Sequence, residues 1–235
     1  MASDDLTHDN LLDAFPGAEV AECDGYGLVN ARYPRLGRRS GPCPVCARSK
    51  WQQALTTFTP PRFRGPVPVP AEVREWASAG SLEGRSGLYI EGRVGTGKTH
   101  LAWAALALWC EEAGVTPHAG NPDSPARRPN VVCTRMTDLL DSLRPGEDGT
   151  LRVTDCQMAA LLFLDDVGAE KSSEWTQERI YSVVDHRYAH CLPLIITSNV
   201  PAADLADYVG QRTASRLAEM CTVIPLDGED RRWPQ

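Results

Sequence analysis

Gly92-Arg93-Val94-Gly95-Thr96-Gly97-Lys98-Thr99 meets the spacing G-x-x-x-x-G-K-[ST] in full. Glycines so placed let successive backbone N–H groups curl around phosphate oxygens, and a helix opening at Lys98 aims its positive end at them. A lysine there reaches the β- and γ-phosphates, and the Thr99 hydroxyl is a ligand for Mg²⁺. The flanks separate this from a chance glycine turn. Leu88-Tyr89-Ile90 reads as a short apolar strand before it, and His100 to Trp109 as an alanine- and leucine-rich helix after it. Gly92, Val94, Gly95, Thr96, Gly97, Lys98 and Thr99 are therefore expected to hold a nucleoside triphosphate.

Asp165-Asp166 follows the apolar run Leu161-Leu162-Phe163-Leu164. An acid at such a strand end completes a Mg²⁺ site begun by Thr99, and its neighbour is placed to orient or deprotonate an attacking water. Asp165 is assigned to the metal and Asp166 to the water, with Glu170 a further candidate base. Asn199 ends Thr197-Ser198-Asn199 and offers an amide to the γ-phosphate or the water. Arg216, and Arg231 with Arg232 downstream, are arginines of the kind that stabilise a transferring phosphoryl group; helix arginines are more often solvated, and spacing alone does not decide.

A different chemistry sits upstream. Cys43-Pro44-Val45-Cys46 is a C-x-x-C knuckle and Cys23 precedes it by 20 residues. Cys23, Cys43 and Cys46 supply most of a tetrahedral Zn²⁺ site. Val20 stands where a second C-x-x-C would need its thiolate, so His8, the only histidine in the first 99 residues, is the default fourth ligand. The alternative is a degenerate, metal-free knuckle. No βαβ pattern surrounds it, which argues against a thioredoxin-like redox site. Cys110, Cys133, Cys156, Cys191 and Cys221 lie scattered in apolar surroundings and read as small core residues.

The net charge of −7 conceals an asymmetry: residues 1–24 carry seven acids and no Lys or Arg, residues 25–50 six basic residues and no acid. An acidic chain is no generic nucleic-acid binder, but the basic block either touches phosphates or an acidic protein surface, or is a solvated loop. No run approaches the ~18 apolar residues of a bilayer span, and the acidic N-terminus lacks a signal-peptide layout. A cytoplasmic protein with no membrane partner is expected.

The chain is long enough for one α/β domain and a small appendage. Pro60, Pro61, Pro66, Pro68 and Pro70 suggest an extended connector from Trp51 onward, placing the boundary between residues 1–54 and 55–235. Leu11 to Phe15 reads as a short helix. Further helices are expected over Ala71–Ala77, Thr137–Leu143, Glu174–Tyr188 (capped by Ser173), Ala203–Tyr208 and Gln211–Glu219. Strands are expected at Val131–Cys133, Leu192–Thr197 and Cys221–Leu226, and loops over residues 114–130 and 146–154. Strands alternating with helices imply a parallel sheet covered on both faces.

Gly92–Thr99, Leu161 to Gly168 with its Asp-Asp-Val-Gly, Ile196 to Asn199, and Ser215-Arg216-Leu217 together resemble the DnaC/IstB-like branch of the AAA+ ATPases across roughly residues 55–232. The resemblance implies a P-loop NTPase of three αβα layers with a five-stranded parallel sheet, preceded by a cysteine-containing module that binds helicase. Lys98 and Thr99 match Walker A, Asp165 and Asp166 Walker B, and Asn199 sensor 1. Arg216 matches the arginine finger acting on a neighbouring subunit, and Arg232 (or Arg231) falls near sensor 2. Arg187 matches a recurring arginine of open role. The function this implies is an ATP-hydrolysing loader of a ring-shaped, hexameric replicative helicase, assembling with ATP into a homo-oligomer on single-stranded DNA. An IstB-like transposition helper, binding duplex DNA and a transposase, fits the ATPase motifs equally; intact Lys98, Asp165 and Asp166 disfavour a non-hydrolysing adaptor.

Overall fold

The structure, a computed structural model, describes residues 6–24, 28–118, 128–144, 151–168 and 173–228. Two compact units divide between Thr57 and Phe58. In the first, β1 (Val20–Cys23), β2 (Leu28–Tyr33) and β3 (Gly37–Pro42) form an antiparallel sheet in chain order. β2 alternates strictly, with Val29 and Ala31 buried and Leu28, Asn30 and Arg32 exposed, so only one face is covered. Leu11, in a 3-10 turn over Leu11–Ala14, packs with Val29, Ala31 and Cys43 to make a very small core.

Two expectations change in this unit. The basic block is a hairpin rather than a loop, with Arg32 on β2 directly opposite Arg38 on β3. Only the start of the expected connector changes: helix α1 (Pro44–Phe58) runs through Trp51, whereas residues 59–70 carry no regular element beyond a 3-10 turn over Pro61–Phe63. Pro44 is tolerated in a first helical turn, no glycine or proline follows before Thr59, and Pro60-Pro61 then stops the helix.

The second unit alternates strand and helix: α2 (Ala71–Ala79), β4 (Gly87–Gly92), α3 (Lys98–Glu112), β5 (Val131–Arg135), α4 (Met136–Ser142), α5 (Val153–Met158), β6 (Leu161–Val167), α6 (Glu174–Ala189), β7 (Leu194–Ser198), α7 (Ala206–Val209), α8 (Gln211–Met220) and β8 (Cys221–Leu226). The strands pair in parallel in the order β5-β6-β7-β4-β8. Both faces are covered, which is why these strands read as continuous apolar runs. Leu162, Leu164, Leu194 and Ile196 pack with residues of α4 to α8, while Phe163 meets Trp103 of α3 edge-on.

Helix α5 occupies part of the segment expected as a loop; Asp155 accepts a hydrogen bond from the Arg152 N–H, a capping pattern readable from an acid three residues into a helix. Residues 203–208 divide into a 3-10 turn over Ala202–Asp204 and α7. Cys110, Cys156 and Cys221 are buried as expected, but Cys191 is exposed, in a turn at φ 50°.

Arg187 receives a structural role. Its side chain is 0 % exposed, and its guanidinium donates to the carbonyls of Cys156 (2.8 Å), Ala159 (2.9 Å), Gln157 (3.4 Å) and Pro193. One charge thus caps the C-terminal end of α5 and holds the entry to β7. Burial lowers its pKa to about 10, so it stays charged at neutral pH.

Candidate nucleotide site

Because β6, β7 and β4 are neighbours, the segments leaving their C-terminal ends meet in one place, where open α/β sheets bind ligands. The loop leaves β4 at Gly92, whose φ is 152° and where a Cβ would come within 2.4 Å of the Leu226 carbonyl. Only glycine lets β8 lie that close. Gly97 at φ 100° reverses the chain into α3. Lys98, 8 % exposed, donates to the Gly92 carbonyl (2.9 Å), the Arg93 carbonyl (2.8 Å) and Asn199 Oδ1 (2.7 Å).

The acids sit on a distortion of β6. Its register with β7 shifts between Leu164 and Val167, and Asp166 takes a left-handed φ of 60°. A non-glycine residue there stores strain typical of functional sites. Gly168, also left-handed at 93°, completes the turn, and a Cβ on it would meet Val200 Cγ2 at 2.8 Å. The bulge gives the two carboxylates different partners. Asp165 Oδ1 accepts from Thr99 Oγ1 (2.9 Å) and Thr197 Oγ1 (2.6 Å), while Asp166 Oδ1 accepts from Asn199 Nδ2 (2.9 Å). Asn199 is oriented by chemistry alone: Lys98 can only donate to it and an ionised Asp166 can only accept from it.

The structure thus joins Lys98, Thr99, Asp165, Asp166 and Asn199 in one network. The donor set suits a Mg²⁺–triphosphate: a hydroxyl and a carboxylate already 2.9 Å apart, beside a lysine. Sequence reasoning named Thr197 only as part of a triplet. Its hydroxyl bonds the Asp165 carboxylate and the Asp166 backbone N–H, and no signal in the sequence singled it out.

Arg216 lies elsewhere within the chain. On α8, its Nε is 2.7 Å from Asp185 Oδ1 of α6, as an ion pair whose N–H is not aligned for a hydrogen bond. Its guanidinium stands 4.8 Å over the Tyr181 ring and 5.6 Å over that of Tyr188. Tyr188 in turn donates to Glu219 (2.5 Å). None of these partners belongs to the Lys98 network. Glu170, Arg231 and Arg232 lie outside the described residues.

In the first unit His8, Cys23, Cys43 and Cys46 converge, their ligand atoms all within 4.8 Å of one another. Cys23 and Cys46 Sγ are 3.5 Å apart, and His8 Nε2 lies 3.6 Å from Cys43 Sγ and 3.5 Å from Cys46 Sγ. Ligands bound at Zn–S of about 2.3 Å and Zn–N of about 2.0 Å in a tetrahedron stand roughly 3.5–3.8 Å apart; three pairs here have that spacing, and three thiols with one imidazole are a donor set for Zn²⁺. The Cys46 N–H also points at Cys43 Sγ (3.5 Å), as a metal knuckle requires. The hydrogen bond to Cys23, then burial and Cys43, push the Cys46 thiol up to about 11.

A five-stranded parallel sheet flanked by helices, with the phosphate loop after β4, paired acids ending β6 and an asparagine after β7, defines an ATPase of the AAA+ P-loop class. Residues 68–235 match the family model of the IstB-like ATP binding proteins, and the chain belongs to that family. It is 26% identical over 163 residues to the replicative helicase loader DnaI of Bacillus subtilis (strain 168), covering 63% of this chain and 48% of DnaI. The chain thus spans about half the length of that relative. Among solved structures, DnaI superposes with a TM-score of 0.55 at 20% identity, covering 74% of this chain and 95% of that one. The DnaC helicase loader does so at 0.50 and 23%, covering 77% and 99%. At these identities the structures show a shared fold. No described helix is long and apolar enough to cross a membrane.

Proposed function

We propose that the protein is a replicative helicase loader that uses ATP to switch an oligomer on and off single-stranded DNA. The observation that carries the loader reading, within a family that also fits a transposition helper, is the His8, Cys23, Cys43, Cys46 cluster ahead of the ATPase. It supports reading residues 1–54, which fall within the first compact unit, as a Zn²⁺-held module suited to grip a helicase, with residues 55–235 as the motor. That the relative DnaI is a replicative helicase loader supports the same choice. The site of action is the cytoplasm, where a replicating chromosome or phage genome lies.

In the ATPase, backbone N–H groups of Val94 to Thr99 and the Lys98 ammonium bind the phosphates. Thr99 and Asp165 hold Mg²⁺, which when bound neutralises charge on the β- and γ-oxygens. Asp166 accepts a proton from the attacking water, and Asn199, already bonded to it, orients that water. Arg216 acts in trans on the neighbouring subunit's γ-phosphate, consistent with its partners Asp185, Tyr181 and Tyr188 lying outside its own chain's network, and Arg232 (or Arg231) is the sensor-2 residue. ATP at each junction therefore favours the DNA-gripping oligomer, and hydrolysis releases it.

The test is a pull-down of the full chain from host lysate with ATP. Recovery of a ring-shaped hexameric helicase is the expected result; recovery of a transposase instead, with preference for duplex DNA, would replace this reading by the transposition-helper one.

A further inference from the structure

We propose that Thr197 is a positioning residue for hydrolysis, one hydroxyl that sets both acids of β6. Thr197 lies one residue before the end of β7 and is 1 % exposed. A threonine hydroxyl carries one hydrogen and two lone pairs. Here the hydrogen goes to Asp165 Oδ1 at 2.6 Å, and the oxygen accepts the Asp166 backbone N–H at 2.9 Å. The two contacts do different things. The first fixes the rotation of the Asp165 carboxylate, which Thr99 approaches from α3 at the same oxygen. The second stabilises the left-handed backbone of Asp166, because the bulge takes this N–H out of the β6–β7 ladder and Thr197 supplies its acceptor.

The side chain does this from a buried strand, so its χ1 is restricted by branching and packing. Valine has nearly the same shape and no hydroxyl. It would leave the Asp166 N–H unpaired and remove one of the two hydroxyl donors to Asp165 Oδ1, while leaving the phosphate loop untouched. Serine keeps the hydroxyl and loses only a methyl group.

This inference rests on the reading of Asp165 as metal ligand and Asp166 as the group acting on water, and the experiment separates the two. Thr197→Val, Thr197→Ala, Thr197→Ser, Asp165→Asn and Asp166→Asn are compared in the full-length protein. Three quantities are measured: ATP turnover, the affinity for a fluorescent non-hydrolysable ATP analogue as Mg²⁺ is titrated, and the unfolding midpoint. Groups that hydrogen-bond to metal ligands typically carry about 10- to 100-fold in metal affinity or activity. Thr197→Val and Thr197→Ala are therefore expected to lose about tenfold or more in kcat and to need about tenfold more Mg²⁺ for half-maximal tightening of the analogue. Metal-free analogue affinity should stay within about threefold, and Thr197→Ser should recover both properties to within about threefold. If Asp165→Asn and Asp166→Asn are inactive but both hydroxyl-free variants behave as wild type, the Thr197 proposal is overturned and the site reading stands. If the two Asp variants hydrolyse normally, the site reading falls and takes this proposal with it. If all three Thr197 variants lose activity equally and in step with the unfolding midpoint, the residue acts through packing and the proposal is overturned. The alanine variant, which cannot overpack the strand, keeps the test decisive if valine prevents folding.

Discussion

Replacing Arg187 by methionine measures how far the ATPase unit depends on a buried charge far from its chemistry. Methionine keeps an unbranched chain of similar length and removes every donor. Four carbonyls, those of Cys156, Gln157, Ala159 and Pro193, then lose a partner in a region where Arg187 itself is fully buried. Stranding a buried acceptor costs about 1–3 kcal/mol, and losing a favourable cation at the end of α5 about 0.5–1 kcal/mol more. Against this, methionine does not carry the cost of burying a charge, which holds the arginine pKa near 10 and is worth about 3 kcal/mol. Counting the two shortest well-formed bonds and Pro193 at mid-range, the net loss is about 3–4 kcal/mol, a large share of a typical ~5–15 kcal/mol stability. Arg187→Lys should recover less than half of it, since one ammonium cannot serve both the α5 end and the β7 entry.

The assay is urea unfolding of the full chain followed by tryptophan fluorescence, because Trp76, Trp103 and Trp109 are buried in this unit. Nucleotide affinity under native conditions should stay within about threefold, because Arg187 touches no residue of the Lys98 network. A loss below about 1 kcal/mol would show that the four carbonyls are satisfied without the guanidinium. A tenfold fall in nucleotide affinity at unchanged stability would move Arg187 from the frame of the fold into its site.

Lys98→Ala should weaken MgATP binding at least 100-fold by fluorescence titration, and near-normal binding would sink the phosphate-loop assignment. Arg216→Ala should bind ATP normally yet lose about 10³-fold in turnover in assembled protein; mixing it with Lys98→Ala chains should restore some activity if the arginine acts across a junction, and no restoration at any ratio would count against that role. Metal analysis of the full chain should give one Zn²⁺ per molecule, lost in Cys43→Ser. A protein that retains the circular dichroism of its N-terminal sheet after exhaustive chelation would contradict a metal-dependent module, because four buried side chains form too small a core to hold it alone.

The sheet and the loop of the candidate phosphate site were legible because their signals are local. A buried parallel strand must be a continuous apolar run, and Leu161–Leu164 and Leu194–Ile196 are such runs. A phosphate loop must have its glycines in fixed places, as Gly92 and Gly97 do. The first unit was harder to read for the opposite reason. β3, Gly-Arg-Arg-Ser-Gly-Pro, has poor strand propensity and forms by pairing with β2, while α1 buries none of its residues and so carries no apolar stripe for periodicity to reveal. The fourth ligand shows the same limit: His8 was named by elimination, and only the folded chain brings it to within 3.6 Å of two thiols 35 and 38 residues away. Thr197 escaped because nothing in a sequence distinguishes a strand-end hydroxyl that bonds a carboxylate and the next residue's backbone N–H from one that bonds neither.

The bond between Lys98 and Asn199 gives the site more than a binding surface. Lys98 donates to two loop carbonyls and to Asn199 Oδ1. On the proposed reading, a phosphate oxygen that takes the hydrogen Lys98 gives to Asn199 leaves the Asn199 carbonyl without that donor while its amide remains bonded to Asp166. An amide with an open acceptor beside a carboxylate can receive one hydrogen of a water as the carboxylate receives the other. On the proposed reading, the triphosphate held by Lys98 and the water held by Asp166 would sit at two ends of one hydrogen-bonded chain. Asn199→Ala should accordingly leave nucleotide affinity within about threefold, since Lys98 keeps both loop carbonyls, while turnover falls about 100-fold or more. Equal losses in affinity and turnover would mean that Asn199 serves only to place the lysine.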